Sequence, residues 1–301
     1  MSPLVSVVLP THDRAPTIRR AAESVLSQSF SDFELIIVDD ASRDGTLSVL
    51  SELRDPRLSI VRRPSRGGGA AARNSGILAA RGALVAFQDS DDVWDPEKLR
   101  RQVELLDGAG ERVGFVYTGF TKRGGLEDGV TIPEDGIYPE GSVLDRILLR
   151  NFVSTQTALV RKPALVAVKG FDEALPRLQD WDLFIRLARR HEARAVKESL
   201  VDVFYSDRSI SADESAYFLA YERILRKLSG DSPAIRKHHL RVLSRAALVS
   251  GRKKKAIEYA IAANRLGTTK TELRLLASAL TSESAWDELM GAWAAVRRRA
   301  G

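Results

Sequence analysis

The chain contains no cysteine, which excludes disulfides, thiolate metal sites and cysteine nucleophiles, and leaves no basis for a structural zinc site. It also lacks any apolar run near the ~18 residues that a membrane-spanning helix needs. Met-Ser-Pro leads straight into a short strand-like stretch, Leu4 to Leu9, without the basic and long apolar regions of a signal peptide. These absences predict a cytoplasmic protein, with peripheral contact at the inner face of a membrane left open. Two phosphate-binding signatures are missing as well. No Gly-x-Gly-x-x-Gly follows the first strand and no Walker-type loop occurs, so dinucleotide and P-loop readings gain no support.

What remains is an ordinary globular composition. Of 301 residues, 44% are hydrophobic and 29% charged, enough for one sizeable domain and an appendage. The net charge of +6 is uneven, because residues 213–301 hold 17 lysines and arginines against 9 acids while the rest is close to neutral. The expected division is therefore a domain over 1–212 and a basic α-helical region over 213–301. A basic helical region attracts anionic lipid headgroups or nucleic acid, although a solvated helix face is the commoner reason for such charge.

The first hundred residues alternate apolar, β-branched runs with helical periodicity, the pattern of βαβ units and a largely parallel sheet. Leu4–Leu9, Glu34–Val38, Leu58–Val61 and Ala83–Phe87 read as strands. Ala15–Ser27, Gly45–Leu53 and Gly69–Ala80 read as helices, the second opened by Ser42 or Asp44. Val113–Thr118 and Asn151–Val160 read as further strands, Lys122–Gly141 as loops over a site, and Leu178–Leu187 as a helix with Asp180 near its start. The tail reads as short helices over His238–Val249, Ala256–Leu266, Glu272–Leu280 and Ala285–Arg297, with basic clusters at Arg252–Lys255 and Arg297–Arg299.

In open α/β sheets, ligands sit beyond the carboxyl ends of the strands. The residues there are polar: Thr11-His12-Asp13-Arg14, then Asp39-Asp40, then Asp89-Ser90-Asp91-Asp92. Three carboxylates at the end of a buried strand repel one another, which points to a hard divalent cation such as Mg²⁺ or Mn²⁺, or to a network of donors. The bland alternative is a polar loop in which Asp92 or Asp95 caps the helix beginning near Pro96. Arg66-Gly67-Gly68-Gly69 adds backbone amides at a helix start, with Arg73 a turn later, a setting that favours an anion.

Five stretches, in order and spacing, resemble the family-2 glycosyltransferases: Val5–Arg14, Ser24–Phe30, Glu34–Ser42, Ala72–Gly76 and Phe87–Asp92. The resemblance covers roughly residues 4–212. It implies the GT-A fold, a Rossmann-like mixed, mainly parallel α/β sheet flanked by helices, and inverting transfer from a nucleotide-diphospho-sugar, a UDP-sugar first among them. The acceptor implied is a saccharide or lipid-linked hydroxyl, in synthesis of cell-surface polysaccharide, glycolipid or glycoprotein glycans.

The family pattern also implies roles. Pro10, Thr11 and His12 would line the base pocket, and Asp40 would accept from a base N–H. Arg73 would approach the base or diphosphate, and Asp89 the ribose. Asp91 would be the protein ligand of Mn²⁺ or Mg²⁺ in the Asp-x-Asp motif, and Asp180 the general base. Gln179 stands before Asp180 where Glu is common, and Tyr205–Ser211 occupies the place of a family histidine, where either Asp207 or Arg208 substitutes for it or the segment is a plain loop joining the sheet domain to the helices. The competing class is a non-catalytic nucleotide-sugar or glycan-binding protein of the same fold, against which the joint presence of Asp40, Asp91 and Asp180 argues. Paired carboxylates also serve glycosidases, but the βαβ opening argues against that. A nucleic-acid role would need aromatic interleaving or a recognised module in the tail, and neither is present.

Overall fold

Buried, β-branched runs generate the sheet that organises the molecule. In the computed structural model, which describes residues 2–205, 213–228 and 232–266, β1 (Val5–Thr11) and β2 (Phe33–Asp39) are buried at every position. The chain continues through β3 (Leu58–Arg62), β4 (Leu84–Phe87), β5 (Val93–Trp94), β6 (Val113–Arg123), β7 (Thr131–Ile132), β8 (Ala158–Arg161) and β9 (Glu192–Phe204). Strand order is β3-β2-β1-β4-β8-β6-β9-β5, with β7 paired to β6. β1 pairs in parallel with β2 and β4, and β2 with β3. β8 runs antiparallel between β4 and β6, whereas β6 and β9 are parallel. The result is a mixed α/β sheet whose parallel half begins the chain.

Helices α1 (Ile18–Leu26), α2 (Thr46–Glu52), α3 (Gly69–Ala79), α4 (Lys98–Asp107), α5 (Leu144–Leu149), α6 (Lys162–Ala167) and α7 (Gln179–Ala188) flank it. Ile18, Ala21, Ala22 and Val25 of α1 pack with Val5, Leu35 and Leu99 in the main core. Truncating such a residue to Ala costs about 2–5 kcal/mol. Residue size sets the other helix contact. Gly76 of α3 has no room for a Cβ, which would collide with the Val8 side chain. That close approach lays α3 on β1 and carries Arg73 to the strand ends.

Among the described residues there are two compact units, one of residues 2–174 and 179–205 and the other of residues 175–178, 213–228 and 232–266. Within the second, α8 (Glu214–Lys227) is capped by the Asp213 side chain and α9 (Pro233–Val249) by Ser232. α9 packs with α10 (Lys253–Arg265) through Leu243, Ala247, Ala256 and Ala260. Tyr221 and His239 form a buried hydrogen bond of 2.9 Å. Among the described residues, no helix is long and apolar enough to cross a membrane.

Some sequence expectations differ from the structure in extent. Asn151–Val160 is mostly irregular, with a single 3₁₀ turn at Thr155–Thr157, and only Ala158–Arg161 is strand. Lys122–Gly141 contains the β7 pairing and a 3₁₀ turn as well as loops. The expected helices 272–280 and 285–297, the cluster 297–299, and residues 206–211 with Asp207 and Arg208 lie outside the described residues.

Candidate active site

The exits of β1 and β2 are zipped together by short polar side chains. The Ser42 hydroxyl accepts from Asp13 N at 3.0 Å, Thr46 Oγ1 from Arg14 N at 2.8 Å and Asp44 Oδ2 from Ala15 N at 3.1 Å. In return, Asp13 Oδ1 accepts from Arg43 N at 2.7 Å, and that backbone bond chiefly holds its carboxyl below the ordinary range. Asp13 and Ala41 adopt left-handed conformations, φ 51° and 61°, which non-glycine residues seldom hold unless their surroundings impose them. His12 Nδ1 lies 2.8 Å from Asp40 O. A carbonyl only accepts, so Nδ1 carries the proton and Nε2 faces Asp13 Oδ2 at 3.3 Å. Pro10 and Thr11 complete the strand end, and the buried Thr11 hydroxyl has no protein partner.

These loops open into a cavity of about 840 Å³, lined among others by His12, Ala41, Arg43, Arg62, Ser65 and Arg66. Arg43, Arg62 and Arg66 are exposed and, among the described residues, pair with no carboxylate, so the rim is electropositive.

Asp40 is committed within the protein. Its carboxylate accepts from Gly67 N at 2.9 Å and Gly68 N at 2.7 Å, and pairs with Arg63 Nε at 2.9 Å. The anion that the glycine-rich helix start attracts is thus the chain's own carboxylate. Gly68, at φ 86°, requires a residue without a side chain.

At the end of β4 the three acids part ways. Asp92 is 2% exposed; it accepts from Phe204 N at 3.0 Å and from the Gln156 side chain. Burial, with the charges of Asp89 and Asp91, pushes its carboxyl well above the ordinary range. Asp89 and Asp91 keep 28% of their side-chain surface exposed and have guanidinium neighbours, Arg73 Nη2 at 2.5 Å and Arg14 Nη2 at 3.8 Å respectively. Burial and the Asp89 charge also raise the Asp91 carboxyl, with Arg14 pulling the other way. Neither Asp92 nor Asp95 caps α4: its N-cap is Glu97, which makes no side-chain capping bond, and Asp95 only closes the preceding turn by accepting from Glu97 N at 2.8 Å.

Arg73 links this turn to α7. Its Nη1 lies 3.4 Å from Gln179 Oε1, its guanidinium 5.6 Å from the Phe171 ring, and its buried Nε has no partner. Asn74 holds Phe171 on both backbone groups, donating to its carbonyl at 3.0 Å and accepting from its N–H at 2.9 Å. Asp180, at the start of α7, accepts from Asn151 Nδ2 at 3.0 Å and Trp181 N at 2.8 Å. Burial raises its carboxyl above the ordinary range, against those donors and Arg73; the Asp89 charge adds to the rise. Asp182 faces inward and pairs with Arg186 at 2.7 Å.

The structure therefore gathers Arg73, Asp89, Asp91 and Asp180 along one rim and places Pro10, Thr11, His12 and Asp40 at the neighbouring strand exits. Sequence reading missed Asn151, Gln156 and the Asp13–Ser42–Asp44–Thr46 zipper. Asn151 sits in a stretch read as a strand, and only the repeated Asx and Ser/Thr residues after each strand hinted at the zipper.

The profile of the family described as glycosyl transferase family 2 matches residues 6–164. TuaG of Bacillus subtilis (strain 168), a glycosyltransferase assigned to teichuronic acid biosynthesis, is 30% identical over 218 residues, which cover 70% of this chain and 83% of TuaG. WfaP of Escherichia coli, a UDP-Glc:alpha-D-GlcNAc-diphosphoundecaprenol beta-1,3-glucosyltransferase, is 27% identical over 241 residues, 78% of this chain and 89% of WfaP. Among solved structures, the mannosyltransferase PcManGT of Pyrobaculum calidifontis, in complex with GDP-Man and Mn²⁺, superposes with a TM-score of 0.61 at 21% identity, over 96% of this chain and 84% of that one. By profile, by relatives and by its mixed GT-A sheet, the chain belongs to glycosyl transferase family 2.

Proposed function

We propose that this glycosyltransferase moves a sugar, with inversion, from a nucleoside-diphosphate donor to an acceptor hydroxyl. The observation that carries the reading is a half-buried carboxylate of raised proton affinity, Asp180, on the same rim as two partly exposed carboxylates, Asp89, which pairs with Arg73, and Asp91, which faces Arg14. The strand exits at Pro10, Thr11 and His12 take the base, with His12 lining the 840 Å³ cavity. Asp40 serves the base by holding Gly67 and Gly68 in place.

A divalent cation fits the acid turn. Asp89 and Asp91 offer hard oxygen donors, and burial, with the charge of Asp89, raises the proton affinity of Asp91. Among the described residues, no cluster of three or more acid or histidine side chains forms a complete metal site. Mg²⁺ and Mn²⁺ bind through one or two carboxylates plus substrate phosphates and water. When bound, such an ion takes up charge on the leaving diphosphate. PcManGT's complex with GDP-Man and Mn²⁺ supports the assignment. In the reaction, Asp180 takes the proton of the acceptor hydroxyl as its oxygen bonds to the anomeric carbon. The bond to the diphosphate oxygen breaks on the opposite face, and its electron pair leaves with the nucleotide. Arg73 steadies Asp89 and presents a positive charge to the diphosphate.

WfaP's name supports a UDP-sugar donor and a lipid-linked acceptor. TuaG's name supports work on cell-surface polysaccharide. The exposed cations Arg236, Arg245, Lys253 and Lys254 on α9 and α10, beside Val249 at 70% exposure, support peripheral binding to an anionic membrane.

The test is nucleotide release from UDP-, GDP-, dTDP- and CMP-sugars with Mn²⁺ or Mg²⁺, with and without EDTA. Slow, metal-dependent release from one donor, lost in Asp180→Asn, is the expected result. Failure to bind any of these donors would sink the reading.

A further inference from the structure

Three segments distant in sequence meet beside Asp91. Arg20 of α1 donates from Nη2 to the Asp91 carbonyl at 2.8 Å. Its guanidinium also lies 3.7 Å from the centre of the Phe204 ring, within the range of a cation–π contact. Phe204, the last residue of β9, donates its own N–H to Asp92 Oδ1 at 3.0 Å. The acid turn is therefore gripped twice, by α1 on one carbonyl and by β9 on the adjacent carboxylate, and the two grips touch each other.

This matters because the Asp91 carboxylate takes a hydrogen bond only from its own backbone N–H and otherwise feels the charges of Arg14 and Arg20. Arg14, at 3.8 Å, is beyond hydrogen-bond reach, so the carboxylate's aim is set by the backbone that bears it. Arg20 fixes that backbone. Arg20 is itself exposed, and its loss opens no cavity in the core, which separates its effect on the turn from an effect on the fold.

We propose that Arg20 is a positioning residue that aims Asp91 for the cation and ties this aim to the seating of Phe204 on the acid turn. The proposal rests on the reading of Asp91 as the cation's ligand. Groups behind a metal ligand commonly tune affinity 10- to 100-fold, and Arg20 acts through a carbonyl, so the effect belongs at the lower end.

The experiment measures Mn²⁺ binding directly, through loss of the free Mn²⁺ EPR signal, in parallel samples with UDP and with GDP. Wild type is compared with Arg20→Ala, Arg20→Lys, Phe204→Leu, Phe204→Tyr, the Arg20→Ala/Phe204→Leu pair and Asp91→Asn. Arg20→Ala should weaken Mn²⁺ binding about 10-fold while leaving Tm and metal-free nucleotide affinity unchanged. Arg20→Lys should restore part of the loss. Phe204→Leu should move affinity the same way by less, Phe204→Tyr should not, and the double variant should do no worse than Arg20→Ala. Arg20→Ala binding Mn²⁺ like wild type while Asp91→Asn does not would overturn the proposal alone. If Asp91→Asn also binds like wild type, the reading of Asp91 fails and takes the proposal with it.

Discussion

Two acid clusters stand at the ends of β2 and β4, parallel strands on either side of β1, and in the sequence they look alike. Asp39-Asp40 follows one apolar run and Asp89-Ser90-Asp91-Asp92 another. In the fold they differ. Asp40 is 3% exposed and saturated by two glycine N–H groups and Arg63, and Asp39 receives Ser42 N on both oxygens at 3.3 Å. Asp89 meets Arg73, Asp91 meets Arg14 and its own backbone N–H, and both stay partly open. Backbone donors turn an acid into structure, because a fixed N–H is a permanent partner. A mobile guanidinium leaves the carboxylate free to exchange partners.

The sharpest break of this comparison is at Asp180, which takes a backbone donor from Trp181 and a side-chain donor from Asn151 and so stands between the two classes. Asp180→Asn should lower turnover about 10²- to 10⁴-fold with nucleotide affinity retained, read by steady-state kinetics beside a binding titration. Because burial raises its carboxyl, wild-type turnover should fall on acidification at a higher pH than an ordinary aspartate would give. A pH–rate profile without that shifted acid limb would contradict the role. Asp91→Asn should abolish the gain in nucleotide affinity that Mn²⁺ confers and leave metal-free affinity intact, measured by calorimetry with and without EDTA.

Asp40→Asn tests the closed acid. It trades charge-assisted hydrogen bonds for weaker ones and should destabilise the protein by about 1–3 kcal/mol, seen in urea unfolding, with nucleotide binding weakened whether or not metal is present. Unchanged stability alongside lost binding would move Asp40 into the open class. The mildest effect belongs to Lys98, a buried cation 3.8 Å from the Trp94 ring and 2.8 Å from Gln102 Oε1, with no carboxylate partner among the described residues. Burial holds its pKa well below 10.5. Between that lowered value and 10.5 the unfolded chain binds the extra proton, so wild-type stability should rise with pH across that window. Lys98→Met should remove the slope and stabilise the fold at pH 7 by about 1 kcal/mol, measured by denaturation at pH 7 and pH 9.5.

How much of this was legible follows from the range of the forces involved. β1, β2 and β4 announce themselves because each is a continuous apolar run ending in polar residues, and the acids at their exits could be named at once. β9 could not. Its stretch, Glu192 to Phe204, is broken by Lys197-Glu198-Ser199, and its pairing with β6 shifts register at Thr118/Gly119 and again at Gly119/Thr121. Two-residue β5 exists only because β9 lies beside it. The open or closed state of an acid was equally hidden, since Asp92 meets Phe204 across 112 positions and Asp40 meets Gly67 across 27. Residue type marks where charge will gather; the donors that answer it arrive from distant parts of the chain.

Gly76 gives the rim its tolerance. With α3 lying directly on the Val8 side chain, the helix has no slack, and a methyl group at that position would lift the turn that carries Arg73 and Asn74. Arg73 would then lose its reach to Asp89, and Asn74 its hold on Phe171. An engineer seeking to widen or re-aim the site should therefore vary the strand exits, where Arg43, Arg62 and Arg66 pair with no carboxylate among the described residues, and treat α3 as a fixed ruler against which the rest of the rim is measured.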